Sequence, residues 1–157
     1  MKSRISKKLI VTIAAIFIFS LSGIFAQAKT VEVKWHTNLE EAQKIAKKES
    51  KNIFVQFTGS DWCIWCKRLE GEVLKTDEFK KYAKKNLVLV KLDFPKSIKQ
   101  TDEQKKYNYG LAKKYGIRGF PTVILLNSSG KTVSQTGYVK GGPRNYVKHL
   151  KDLFAKK

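Results

Sequence analysis

Apolar positions along the chain switch between two spacings, and each switch marks an element. Leu39, Ala42, Ile45 and Ala46 recur at helical intervals among Glu and Lys, with Thr37 or Asn38 available as a cap, which predicts a helix ending near Ser50. Ile53-Phe54-Val55-Gln56-Phe57 is a short run of strand formers, of the kind covered on both faces in a central sheet. Thr58-Gly59-Ser60-Asp61 interrupts it as a turn. From Cys63 onward Trp65, Leu69 and Val73 fall at i, i+4 and i+8, predicting a helix whose first residue is Cys63. A second helical piece over 77–86 places Phe79, Tyr82 and Ala83 on one face. The run 87–94, almost continuously apolar, is a second central strand.

After a loop from Pro95 to Gln100, Tyr107, Leu111 and Tyr115 mark the core side of a helix over 102–115, which Thr101 and Gln104 open as a capping box. Gly116 stops that helix. Pro121 stands at the mouth of a strand over 122–126 rather than inside it, where its missing N–H would break a ladder. Asn127-Ser128-Ser129-Gly130 turns the chain into a strand within 131–138, and Pro143 opens a last helix carrying Tyr146, Val147, Leu150 and Phe154. With a weak strand near 31–35, the order is β-α-β-α-β-α-β-β-α. Helices interleaved with buried strands imply an α/β domain, a central sheet covered by helices on both faces.

The first 28 residues follow a different pattern. Lys2, Arg4, Lys7 and Lys8 precede an apolar run from Leu9 to Ala26, and Ala26-Gln27-Ala28 has the small-x-small form that a signal peptidase accepts. The expectation is a signal peptide over 1–28, cleavage before Lys29 and one domain over 29–157. The alternative is an uncleaved anchor facing the periplasm, since the run is close to the roughly 20 residues that span a bilayer. Either way the domain is expected outside the cytoplasm, in the periplasm of a bacterium, where disulfide chemistry can operate.

The 157 residues suit one core, and 32 Lys+Arg against 13 Asp+Glu give a net charge of +19. Without the four basic residues of the leader, 28 remain against 13, so the domain itself is strongly basic. Such a charge favours anionic surroundings, either acidic client proteins or an anionic membrane surface. Nucleic acid is not expected, because no stacking platform or groove-reading motif accompanies the charge. The lysine pairs at 47–48, 80–81, 84–85, 105–106 and 113–114 serve first as solvated helix faces. His36 and His149 stand apart in sequence, His36 as a surface residue and His149 on a helix face.

Two cysteines exclude a disulfide-rich scaffold and a one-chain Cys₄ zinc site, and Lys67 excludes the His that c-type haem attachment needs. Their spacing, Trp62-Cys63-Ile64-Trp65-Cys66-Lys67, carries the chemistry. At a helix start, i and i+3 lie on one side, close enough for a disulfide to form and break with little backbone movement. The free N–H groups and positive dipole end there favour thiolate, making Cys63 the nucleophile and Cys66, one turn deeper, the resolving thiol.

The chain from about Trp35 to Phe154 resembles the thioredoxin family, in Trp-Cys-x-x-Cys-Lys and in Tyr115-Gly116-Ile117-Arg118-Gly119-Phe120-Pro121-Thr122. Phe57-Thr58-Gly59-Ser60-Asp61-Trp62-Cys63 looks more like its secreted bacterial, disulfide-isomerase-like members than cytosolic thioredoxin. The resemblance implies a thioredoxin fold with a mixed sheet. It also implies Cys63 attacking, Cys66 resolving, Trp62 in support and Pro121 cis beside the dithiol. Trp65, Phe120, Thr122 and Gly137 would line the same client groove. No bound cofactor or metal is implied; electrons would come from a membrane-bound donor.

Three departures limit the likeness. Ile64-Trp65 replaces the Gly-Pro of thioredoxin, and the approach to the site is one residue longer. Gln56 stands where the family has a buried acid, so Lys91, which matches the lysine accompanying that acid, lacks its usual partner. Asp93, two residues on along the same strand face, is a candidate substitute. The function expected is reduction or isomerisation of disulfides in extracytoplasmic proteins. The alternative from another class is a non-catalytic binding module of thioredoxin fold that holds client proteins or the envelope surface.

Overall fold

The computed structural model describes residues 31–155, so the expected leader over 1–28 and its cleavage site lie outside the described residues. Within them the order is β1 (Trp35–His36), α1 (Leu39–Glu49), β2 (Asn52–Thr58), α2 (Ile64–Leu69) running into a π-helical turn (Glu70–Leu74), α3 (Asp77–Asn86), β3 (Leu87–Asp93), α4 (Asp102–Lys114), β4 (Thr122–Leu126), β5 (Thr132–Thr136) and α5 (Gly142–Ala155). The strands form one mixed sheet in the order β1-β3-β2-β4-β5. β1, β3 and β2 run parallel, with Gln56 opposite Lys91, and β4 and β5 are antiparallel to their neighbours.

Strand alternation sends successive side chains to opposite faces, and each face has its own core. Ile53, Val55 and Phe57 meet Val88, Val90, Leu92, Ile124 and Leu126 under α1 and α4. On the other face Phe54, Leu87, Leu89, Val123 and Leu125 pack beneath α2, α3 and α5, with Tyr146 and Phe79 fully buried. The helices start where their side chains cap them: Asn38 accepts from Glu41 N, Thr76 from Phe79 N and Thr101 from Gln104 N.

Several expectations are corrected. Cys63 is the N-cap of α2, in extended backbone, and not its first helical residue. β1 lies at Trp35–His36 instead of 31–35, and β5 is shorter than 131–138. His36, expected at the surface, is 8% exposed, because β1 pairs with β3 and α1 packs over it. Of the stripe Trp65, Leu69 and Val73, the last two are fully buried, while Trp65, which also counted toward the client groove, lies 45% exposed. Positions four apart drift by about 40° per step around a helix, and the widened turn at Glu70–Leu74 adds to the departure.

Candidate active site

β2 ends in the turn that delivers Cys63. Asp93, at the end of β3, fastens this turn by accepting from Ser60 N at 3.0 Å and Ser60 Oγ at 2.6 Å. Cys63 N donates to Gly59 O at 2.9 Å, so the chain enters α2 already folded back on itself. Cys63 and Cys66 are joined as a disulfide with Cα atoms 5.2 Å apart, within the ordinary span for such a bond. Cys63 Sγ accepts from Cys66 N at 3.2 Å, the position a capping oxygen would take. Exposure differs in the expected sense: 6% for Cys63 and 2% for Cys66.

On one side of the disulfide Trp62 lies 40% exposed, with its Nε1 donating to Phe94 O at 2.8 Å. Its ring occupies the space above Gly59, where a Cβ would fall 2.5 Å from Trp62 Cε2. Phe120 meets the Trp62 ring edge-on at 5.8 Å and Phe94 at 5.0 Å. The Phe120–Pro121 peptide is cis, so the residue that the resemblance placed beside the dithiol follows directly on a ring in contact with Trp62. Asp61 holds the adjoining loop, its carboxylate accepting from the N–H groups of Ser97 at 2.6 Å and Lys96 at 3.1 Å. The Ser97 bond above all, then Lys96 and Ile98, keeps the Asp61 carboxyl below its usual value.

Thr122 and Gly137, expected in the client groove, are occupied within the chain. Thr122 is buried and donates its hydroxyl to Gly119 O at 2.7 Å. Gly137 passes so close to Pro121 that a Cβ would meet Pro121 O at 2.9 Å, and its own carbonyl accepts from the Tyr146 hydroxyl. Trp65 does face outward, against Tyr138 at 5.5 Å with the Arg68 guanidinium 5.1 Å above its ring. Glu72 anchors this group by accepting from Arg68 and from the Tyr138 hydroxyl.

Lys91 is not without a partner, and that partner is not Asp93. Its Nζ lies 3.1 Å from Glu70 Oε2, whereas Asp93 is committed to Ser60. Glu70 lies four residues beyond Cys66, and Cys66, Glu70 and Lys91 share a pocket of about 310 Å³. Sequence reasoning missed Glu70, although its signal was present: an acid one helical turn past the second cysteine, facing a strand lysine. Gln56 is 1% exposed, and its Oε1 has no hydrogen-bond partner among the described residues.

Residues 39–153 match the thioredoxin-like domain family. The disulfide bond reductase DsbH of Chlamydia pneumoniae is 37% identical over 111 residues, covering 71% of this chain and 67% of that protein. The thioredoxin-related protein DsbJ of the same organism is 30% identical over 105 residues, which cover 67% of this chain and 30% of DsbJ. Among solved structures, a DsbH oxidoreductase superposes with a TM-score of 0.74 at 33% identity, covering 80% of this chain and 87% of its own. A putative disulphide-isomerase from Bacteroides thetaiotaomicron gives 0.60 at 28% identity, covering 84% and 99%. Sequence and fold thus agree over the segment that carries both cysteines, and the chain belongs to the thioredoxin-like domain family, as a thiol-disulfide oxidoreductase.

Proposed function

We propose that this protein reduces or isomerises disulfides of other proteins outside the cytoplasm, with Cys63 attacking and Cys66 resolving. The observation that carries this reading is the Cys63–Cys66 bond at a helix start, where the more exposed sulfur accepts the Cys66 N–H. When the bond is reduced, the same N–H donates to the Cys63 thiolate. Trp62 at 40%, Ile64 at 64% and Trp65 at 45% exposure offer apolar contact to an unfolded client around the sulfurs.

The chemistry balances as two exchanges. The Cys63 thiolate attacks one sulfur of the client disulfide; that bond breaks, a Cys63–client bond forms, and the freed client thiolate takes a proton from water. Cys66 then loses its proton, attacks Cys63 Sγ and expels the second client sulfur. Two electrons pass to the client and the domain is left as the Cys63–Cys66 disulfide. In isomerisation a second client thiolate displaces Cys63 instead, and no net electrons move. The Glu70 carboxylate, sharing a pocket with Cys66, accepts the Cys66 proton, a task that the amide of Gln56 cannot perform.

Reduction consumes the dithiol, so a two-electron donor must restore it, and a membrane-bound donor fits a domain exported by the leader over 1–28. The positive charge of the domain also suits contact with an anionic membrane surface. The test is turnover of a protein disulfide by the purified protein. Cys63→Ser is expected to abolish it, and Cys66→Ser to accumulate mixed disulfides with clients. Surviving turnover in Cys63→Ser would mean that Cys63 is not the nucleophile and would favour the binding module.

A further inference from the structure

A cleft of about 550 Å³ opens beside Trp62 and shares no lining residue with the polar pocket at Cys66. Its floor is a chain of ring contacts: Trp62 to Phe120, Phe120 to Phe94 at 5.0 Å, and Phe94 to Tyr109 at 5.2 Å, where Tyr109 is 65% exposed. The floor is held in place, because Trp62 Nε1 is bonded to Phe94 O and the carboxylate of Asp61 ties down the loop from Lys96 to Ile98.

The rim has one sign of charge. Lys96, Lys113 and Arg118 line it and are exposed, and no carboxylate does. Among the described residues none of these three belongs to an ion pair; the Lys96 ammonium lies 4.4 Å over the Trp62 ring. Some cations elsewhere are paired, as at Arg68–Glu72 and Lys148–Asp152; what sets the rim apart is that its three surround an apolar hollow. Three uncompensated cations around an apolar hollow attract an anionic partner that also carries apolar side chains.

We propose that this cleft holds an acidic segment of the client polypeptide next to its cystine. An aromatic or aliphatic side chain rests on the rings of Trp62, Phe94 and Phe120, and flanking Asp or Glu carboxylates meet Lys96, Lys113 and Arg118. The proposal rests on the reading of Cys63 and Cys66 as the client-attacking pair and adds to it the class of client. A peptide fits better than a bilayer surface, because the apolar floor lies within a cleft of about 550 Å³ that takes a few side chains of one segment.

The test uses the full chain and two disulfide-linked peptides of equal length, each with Phe near the half-cystine, one flanked by three Glu and the other by three Lys. A small neutral disulfide is run alongside: failure to turn it over would sink the dithiol reading itself, independently of the cleft. The acidic peptide is expected to show a kcat/KM about tenfold above the basic one at low salt, the ratio shrinking as salt screens the rim. The double variant Lys113→Glu with Arg118→Glu is expected to bring the two peptides level or reverse their order. Lys81→Glu with Lys85→Glu, an equal charge change on α3 outside the cleft, keeps most of the preference. Equal rates for both peptides in the unaltered protein, or equal losses in the two double variants, would overturn the proposal. So would a cleft variant that handles both peptides as before yet no longer binds phosphatidylglycerol vesicles, which would give the cleft to lipid.

Discussion

The disulfide is flanked by two hollows built on opposite terms. Beside Cys66 the pocket is polar and holds a carboxylate, with Glu70 answering Lys91 across 3.1 Å while Lys67 and Lys75 also line it. Beside Trp62 the cleft is aromatic, and its cations have no carboxylate among the residues that line it. The side with the carboxylate suits an internal task, moving a proton to and from a sulfur that never leaves the protein. The side without one is left to be completed from outside. A carboxylate beside the buried sulfur, and none in the aromatic cleft, thus separates chemistry done within the chain from recognition done at its surface.

Substitutions on each flank should therefore fail in different ways. The largest effect is expected from Gly59→Ala, whose new Cβ would fall 2.5 Å from Trp62 Cε2. The ring must move off its seat, at a cost of about 1–3 kcal/mol in stability. Denaturant unfolding and a shift in tryptophan emission report it, and an unchanged midpoint would show that the Trp62 seat is looser than described.

Glu70→Gln acts on the other flank. It is expected to slow release of the client from the mixed disulfide by about tenfold or more. Formation of the mixed disulfide should be little affected, as rapid-quench kinetics would resolve. Stability should fall by less than about 1 kcal/mol, since Glu70 and Lys91 are both partly open to solvent. Equal slowing of both steps would argue against a proton role for Glu70.

The smallest effect is that of acid on the loop beside Trp62. The Asp61 carboxyl is held below its ordinary value, chiefly by the Ser97 N–H. A depressed folded-state value stabilises above the unfolded value and is lost as pH falls through the folded one. The loop should stay tied at neutral pH and loosen only below about pH 4, where the amide resonances of Lys96, Ser97 and Ile98 would shift. Shifts appearing near neutral pH would contradict this.

Most of the fold was legible because apolar spacing determines which face each strand and helix buries, as with Phe54 and Val55 on opposite cores. The dithiol and its place at a helix start followed from the spacing of Cys63 and Cys66. Tertiary choices were less legible. The π-helical turn after Leu69 leaves no mark in a helical stripe, so the stripe left Trp65 between core and client groove, and the structure has it 45% exposed. His36 is covered by pairing of β1 with a strand more than fifty residues away, which local pattern does not show. The partner of Lys91 was sought along its own strand, at Asp93, when it came from a helix, at Glu70. Asp93 instead holds Ser60, a bond from the end of β3 to the turn after β2 that no spacing connects.

The central claim is that Cys63 and Cys66 form a working redox couple. It is tested most directly by the reduction potential of the pair, equilibrated in thiol buffers and followed by the fluorescence of Trp62 and Trp65. The account predicts a value between about −270 and −180 mV, the range of reductants and isomerases in this fold. A value near about −120 mV would make the protein an oxidant, and a bond resisting reduction well below about −300 mV would make the Cys63–Cys66 bridge structural; either result would contradict the account.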